Sequence, residues 1–301
     1  MAEAAQAAVE EVIHQHPAAF GQSQTRWTLS GLQQACPWLR VNTLAGMHQV
    51  LERLNIHWKR GRGHLHSPDP DYAPKLSDIW RWIRAVQGDF DRRVLLFGDE
   101  FGFYRQPTLA NDYERAGKIQ PLAELGHRTN TCWRIAGALN AWTGQVTYTG
   151  HAHFTIKLLV DFFVQITDTY PWATTIYLVV DNWPVHFHPD VLAALQPQTF
   201  PWPLHRPGNW PTQPSKQARY LNLPIQLVQL PTYAPWTNPI EKLWLFLKKN
   251  VLHLHRFEDD WVALKQRVDS ELEQFTRPSP DLLRFVGLSD PLRLYHSLFD
   301  G

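Results

Sequence analysis

The run Ile225-Gln-Leu-Val-Gln-Leu230, a proline-flanked loop, and then Asn238-Pro-Ile-Glu-Lys-Leu-Trp-Leu-Phe-Leu247 changes its hydrophobic period from that of a strand to that of a helix. Ile240, Leu243, Trp244, Leu247 and Val251 recur at helical spacing, which predicts a helix over 238–252 with one buried stripe. The same alternation extends backwards. Thr175–Val180 reads as a strand ending at Asp181-Asn182, with a helix over Pro189–Leu195 after it. His153–Asp168 is a helix carrying Leu158, Leu159, Phe162, Phe163 and Ile166. Cys132–Leu139 and Gln145–Thr149 are strands joined by a turn at Asn140–Gly144. Arg93–Phe97 is a buried strand ending in Gly98-Asp99-Glu100, and 101–106 continue it. Forwards, Asp259–Phe275 is a further helix. Several strands in succession, then helices and strands in alternation, predict an α/β fold: a mixed sheet flanked by helices.

The segment 196–223 interrupts this order. It is proline-rich and has no period, so it reads as an inserted surface loop. Residues 276–301 read as a C-terminal tail.

Composition bounds the class. The chain has 301 residues, 44% hydrophobic and 19% charged, enough to build a core and too apolar for disorder throughout. Its length suggests two domains. Cys36 and Cys132 cannot form a disulfide framework or a cysteine-rich zinc site. Their scarcity suits a reducing compartment, and no membrane-spanning run and no secretory leader is visible. A net charge of +1 decides nothing about nucleic acid, so the distribution of charge has to.

The first 75 residues have a different rhythm. Residues 2–16 form an Ala-rich helix closed by Pro17. Thr28 caps a short helix over Leu29–Cys36, and Asn42 or Thr43 opens a second with Leu44, Met47, Val50, Leu51 and Leu54 at its spacing. Two arms around Gly61-Arg62-Gly63 then read as a hairpin. Helix, turn, helix, hairpin is the order of a winged helix-turn-helix. No acidic residue occurs between Arg53 and Ser67, while Lys59, Arg60 and Arg62 are basic. These three are the candidates for phosphate contact, against the plainer reading of a solvated basic hairpin. The Pro-rich 68–74 is a linker, and an amphipathic helix over 77–89 connects to the α/β domain, which occupies 91–275.

Three carboxylates fall at element ends. Asp99 closes the first strand of the α/β domain, Asp181 closes a later one, and Glu241 sits in the first turn of a helix. Each has a local explanation: a solvated sheet edge for Asp99-Glu100, an Asx turn at Asp181, and a capping box in which Asn238 is the N-cap and Glu241 the N3 residue. Together they form a different object. Parallel strands ending at one edge bring such side chains together, and clustered carboxylates repel unless a cation joins them. Hard oxygen ligands suit Mg²⁺ or Mn²⁺, and two such ions about 3.5–4 Å apart clamp the attacking and leaving oxygens of a phosphodiester.

The motif blocks Leu95–Gly102, Val179–His186 and Leu230–Trp244 resemble those of mariner-superfamily DDE transposases, the branch encoded by bacterial insertion sequences. The third, Leu-Pro-x-Tyr-x-Pro-x-x-Asn-Pro-Ile-Glu-x-x-Trp, is the most specific. The resemblance covers residues 91–257. It implies an RNase H-like catalytic domain, with Asp99, Asp181 and Glu241 as catalytic and metal-binding residues for two Mg²⁺ or Mn²⁺ ions. Asn182, His186 and Asn238 would shape the site.

It also implies a transposase that binds element-end DNA, hydrolyses phosphodiesters there and transfers the strand to target DNA. Synapsis of two ends implies a homodimer, and the setting would be a bacterial cytoplasm, at the nucleoid. Lys248, which shares a helical face with Glu241 at i, i+7, and His255 and Arg256 at the helix end are further candidates for DNA contact. Two departures stand out. Asp181 and Glu241 are farther apart than in the family, the excess falling in 196–223. The family's head holds two helix-turn-helix units, of which only the second is evident here, so the head reads as incomplete.

Two other readings fit parts of the chain. The His-x-His pairs at 14/16, 64/66, 151/153, 186/188 and 253/255 would suit a histidine-ligated hydrolase if they converged. A non-catalytic DNA-binding protein derived from a transposase would keep the head without using the carboxylates.

Overall fold

The computed structural model describes residues 2–59 and 67–297. It divides into two compact units, Met1–Leu65 and His66–Gly301.

The first unit holds α1 (Ala2–Ile13), α2 (Leu29–Ala35) and α3 (Leu44–Arg53). Its threonines start the helices as their positions predict: Thr28 Oγ1 accepts from the Gly31 N–H and Thr43 Oγ1 from the Gly46 N–H, both at 3.0 Å. Val9, Leu32, Cys36, Met47 and Leu51 make its core. Lys59 is exposed and lies in neither helix nor strand. The predicted wing, with Arg60 and Arg62, lies outside the described residues.

The second unit is built on five strands: β1 (Arg93–Tyr104), β2 (Cys132–Asn140), β3 (Val146–His151), β4 (Thr175–Val180) and β5 (Ile225–Gln229). Their order is β3-β2-β1-β4-β5. β1, β2 and β3 pair antiparallel, while β4 and β5 run parallel to β1, so the sheet is mixed as expected. The helices are α4 (Tyr72–Gln87), α5 (Ile156–Thr169), α6 (Pro189–Leu192), α7 (Ile240–Leu247), α8 (Trp261–Glu273), α9 (Pro280–Val286) and α10 (Pro291–Ser297).

Side chains alternate across each strand, so odd and even positions enter different cores. Leu95, Phe97, Phe101 and Phe103 of β1 join α4, α7, α8 and α9 on one face. Val94 and Leu96 join α5 and α6 on the other.

Four differences from the sequence reading bear on how the site is held. The connecting helix begins at Tyr72, because Asp69 organises the turn before it: its carboxylate accepts from the Asp71 N–H at 2.9 Å and from Lys75 Nζ at 2.8 Å. Pro74 then falls in the first turn, where no N–H is needed. The helix after β5 runs as α7 only to Leu247 and continues as one π turn over Lys248–Leu252. Residues 276–301 are more than a tail, since α9 and α10 lie there and Leu282, Val286 and Leu288 are buried in the main core.

The fourth is the segment 196–223. It has no helix or strand, yet it is anchored rather than loose. Gln198 Oε1 accepts from the Leu227 N–H, Ser215 holds the Asp190 carboxylate, and Arg219 pairs with Asp161. Phe200 packs edge-on against the buried Phe187.

Candidate functional site: carboxylates at the strand ends

β1 and β4 pair up to Phe97 and Val179. Asp99 and Asp181 stand two residues beyond that pair on adjacent chains, at the carboxyl edge of the parallel part of the sheet. Glu241 enters from the first turn of α7. All three line one cleft of about 580 Å³, together with Asn182, Trp183, His205, Tyr233 and Asn238. The sequence did not point to His205, which arrives from the 196–223 segment.

The third motif block is fastened to the first two by hydrogen bonds. Asn238 Nδ2 donates to the Gly98 carbonyl at 3.1 Å, placing the start of α7 against β1. Asn238 is therefore not an N-cap: its Oδ1 is buried without a partner, and the capping-box reading is replaced by a cross-link between blocks. Asn182 Nδ2 donates to the Leu230 carbonyl at 2.7 Å and fixes the second block to the third. Asp69 reaches the same block, accepting from the Thr232 N–H at 2.7 Å. The Asx turn expected at Asp181 is present, with the Trp183 N–H donating to Asp181 Oδ1 at 3.0 Å. It orients the carboxylate and is compatible with a role in the cleft.

Asp99 lies on the α7 face of β1. Trp244 Nε1 donates to its Oδ2 at 2.9 Å. The indole reaches it by crossing Gly137, the residue of β2 opposite Asp99 in register. A Cβ on Gly137 would stand 2.6 Å from Trp244 Cη2, so the glycine leaves the room that the indole fills.

Glu100 points to the opposite face. There His186, 1% exposed, lies between two acids: Nε2 is 3.0 Å from Glu100 Oε1 and Nδ1 is 3.4 Å from Asp181 Oδ1. Among the described residues, Glu100, Asp181 and His186 are the group whose ligand atoms all lie within 4.8 Å of one another. Glu100 had only a solvated-edge reading from its position. Its role as a partner of His186 depends on a contact across 86 residues of sequence.

The electrostatics follow from this crowding. The Asp99 carboxyl is pushed up to about 8, by burial first and then by the charges of Glu241, Glu100 and Asp181, with the Trp244 hydrogen bond opposing. Glu241 is also raised, by burial and by Asp181, although Lys248 and a hydrogen bond with Asp99 pull it down. Burial pulls the His186 imidazole down, but Glu100 and Asp181 more than offset it and push it up to about 10, so it is an imidazolium at neutral pH. Burial raises Asp181, and its bonds to His186 and Trp183 leave it lowered on balance.

A cleft in which one carboxyl is held protonated by burial, and by the charge of its carboxylate neighbours, is short of positive charge. Asp99, Asp181 and Glu241 offer carboxylate oxygens of the kind a hard divalent cation takes, though their oxygens are not all within 4.8 Å of one another here.

The remaining predicted contact residues separate. Lys248 is exposed, its ammonium 5.4 Å from the centre of the Phe101 ring. Arg256 is exposed as well. His255 is not available for a backbone phosphate, because it is buried and its Nδ1 accepts from the Phe257 N–H at 3.1 Å. Among the described residues, no metal-ligating group of three contains two histidines, so the His-x-His pairs do not converge there.

The family model of the DDE superfamily endonucleases matches residues 94–261. The chain is 23% identical over 265 residues to the insertion element IS630 uncharacterized 39 kDa protein of Shigella sonnei, covering 86% of this chain and 67% of that protein. Its fold resembles that of the Mos1 transposase paired-end complex with left transposon end, with a TM-score of 0.59 and 15% identity over 97% of this chain and 76% of that one. The Mos1 mariner paired-end complex with Mn matches with a TM-score of 0.59 and 13% identity, over 96% and 76%. No helix among the described residues is long and apolar enough to cross a membrane.

Proposed function

This chain belongs to the DDE superfamily endonuclease family, and on that premise we propose that it is an insertion-sequence transposase, which binds the ends of its element, cuts phosphodiester bonds there and joins the freed strand to target DNA. The observation that carries the reading is the convergence of Asp99, Asp181 and Glu241 in one cleft, from three elements far apart in sequence.

Asp99, Asp181 and Glu241 would hold Mg²⁺ or Mn²⁺, two ions on this reading. An ion held there would supply Lewis-acid activation of a water or a 3′-hydroxyl and offset charge on the leaving oxygen, so no protein nucleophile would be needed. The chain's own residues prepare the site. Trp244 orients Asp99 through Oδ2, and His186 orients Asp181 while neutralising Glu100. Asn182 and Asn238 hold the three blocks together. The unit 1–65 serves as the DNA-binding head, with Lys59, Arg60 and Arg62 on phosphates. Lys248 and Arg256 add contacts nearer the cleft. Two copies synapse two ends, in the bacterial cytoplasm where the element's DNA lies.

The test is cleavage of the element's end DNA with Mg²⁺ or Mn²⁺. Asp99→Ala, Asp181→Ala and Glu241→Ala should each abolish nicking while end binding persists. Wild-type nicking by any one of them removes that residue from the set. Binding by wild type without nicking in either metal favours the non-catalytic DNA-binding reading.

A further inference from the structure

A second cavity opens beside the carboxylate cleft, and its lining has a different chemistry. It measures about 370 Å³ and is lined by Glu100, Arg134, His153, Phe154 and Trp183. Trp183 lines both spaces, so the two are neighbours. Arg134 is an even position of β2, on the α5 face of the sheet. It pairs with Gly102 in β1, next but one to Glu100. Its side chain is exposed and forms no ion pair among the described residues. Glu100 Oε1 lies 3.0 Å from His186 Nε2, so this carboxylate already has a partner.

His153 and Phe154 immediately precede Thr155, the N-cap of the 14-residue helix α5. The positive end of that helix therefore adds to Arg134 at the cavity. Phe154 and Trp183 supply two partly buried aromatic side chains. A guanidinium without a partner, a helix N-terminus and two aromatic side chains suit a ligand with an anionic group and a flat ring.

We propose that this cavity is a subsite for one unpaired nucleotide of the bound DNA, next to the scissile phosphate. Its base lies against Trp183 and Phe154, and its phosphate is held by Arg134 and the start of α5. The inference rests on the transposase reading above, because the cavity adjoins the cleft assigned there to strand cutting. It adds a way to hold a strand end that has left the duplex, so that the end stays beside Asp181 between cutting and joining.

The experiment is saturation-transfer NMR on the full chain with dAMP, deoxyadenosine and inorganic phosphate as separate probes. We expect saturable dAMP binding, weaker binding of deoxyadenosine, and weaker still of phosphate. Trp183→Ala should weaken dAMP roughly fivefold or more, the scale of one lost base stack, while Trp183→Phe retains most of it. Arg134→Ala should reduce dAMP towards deoxyadenosine, and leave deoxyadenosine unchanged. Arg134 is exposed and unpaired, so this variant keeps the fold, and a melting curve checks it. Absence of saturable dAMP binding overturns the proposal, as does binding that both Trp183→Ala and Arg134→Ala leave intact. The parent reading is scored separately by wild-type nicking of end DNA, so either can fail without the other being mistaken for it.

Discussion

Trp244 Nε1 donates a hydrogen bond to Asp99 Oδ2 at 2.9 Å, so the helix that carries Glu241 also holds the carboxyl group at the end of β1. The indole stacks on Phe101 with ring centroids 5.3 Å apart and lies over Gly137. Position and orientation of Asp99 thus depend on the packing of α7 as well as on the strand.

Gly137→Ala tests that dependence. The new methyl must displace the indole, at a cost of about 1–3 kcal/mol as for other overpacked cores. We expect a lower melting temperature and a larger loss of nicking than stability alone explains at a temperature where the protein is folded. Trp244→Phe keeps most of the apolar volume and removes the donor. It should melt near wild type and still cut more slowly. Wild-type nicking by Trp244→Phe would show that Asp99 needs no such orientation.

The Asp99 carboxyl, pushed up to about 8, carries a proton at neutral pH in the metal-free protein. Its folded value lies above its unfolded one, so the folded state holds the proton more tightly. Metal-free stability from this group therefore falls as pH rises from about 4 towards 8. A bound cation requires the carboxylate, so Mg²⁺ binding should release close to one proton at pH 7 and tighten as pH rises towards 8. Calorimetry in buffers of different ionisation enthalpy measures the release. Asp99→Asn should abolish it, and release that persists in this variant assigns the proton elsewhere.

Asp69 and Lys75 form a buried pair at 2.8 Å, both side chains less than 5% exposed. Burial raises Asp69, but Lys75 and the N–H groups of Thr232 and Asp71 bring it down to about 2. Here the folded value is below the unfolded one. The contribution is complete above about pH 4 and is lost as pH falls through 2, roughly 2 kcal/mol in all. Asp69→Asn should flatten the acid limb of stability against pH. Lys75→Met leaves a buried charge unpaired and should destabilise by about 3–5 kcal/mol at pH 7. Equal acid limbs for wild type and Asp69→Asn would show that the pair does not set them.

The 196–223 segment gives a prediction opposite to the one its composition suggests. A proline-rich insertion reads as removable. Phe200, Ser215 and Arg219 tie it to Phe187, Asp190 and Asp161, and His205 lines the carboxylate cleft. Removing 198–220 should lower the melting temperature and broaden the transition, and Phe200→Ala alone should cost about 1–3 kcal/mol. A deletion that melts like wild type would show that these anchors add nothing to stability.

What the sequence determined by itself is what short-range pattern encodes. Thr175–Val180 was legible to the residue because a β-branched apolar run bounded by a turn has one reading. Thr28 announced one helix start and the pair Asn42-Thr43 another, because a cap acts within three residues; the structure chose Thr43. Asp99, Asp181 and Glu241 stood out as carboxylates at element ends, and the quoted motif blocks marked them together. The tertiary structure decided everything that needed a distant partner. Asn238 looks like a cap in its own neighbourhood and proves to donate to Gly98, 140 residues away. Glu100 looks solvated until His186 is brought to it. His255 looks free until its neighbours bury it. Local pattern follows from backbone sterics and the period of one element, whereas polar contacts between elements depend on which chains the sheet order makes adjacent. That order, β3-β2-β1-β4-β5, sets β4 against β1 and so places Asp181 beside Asp99.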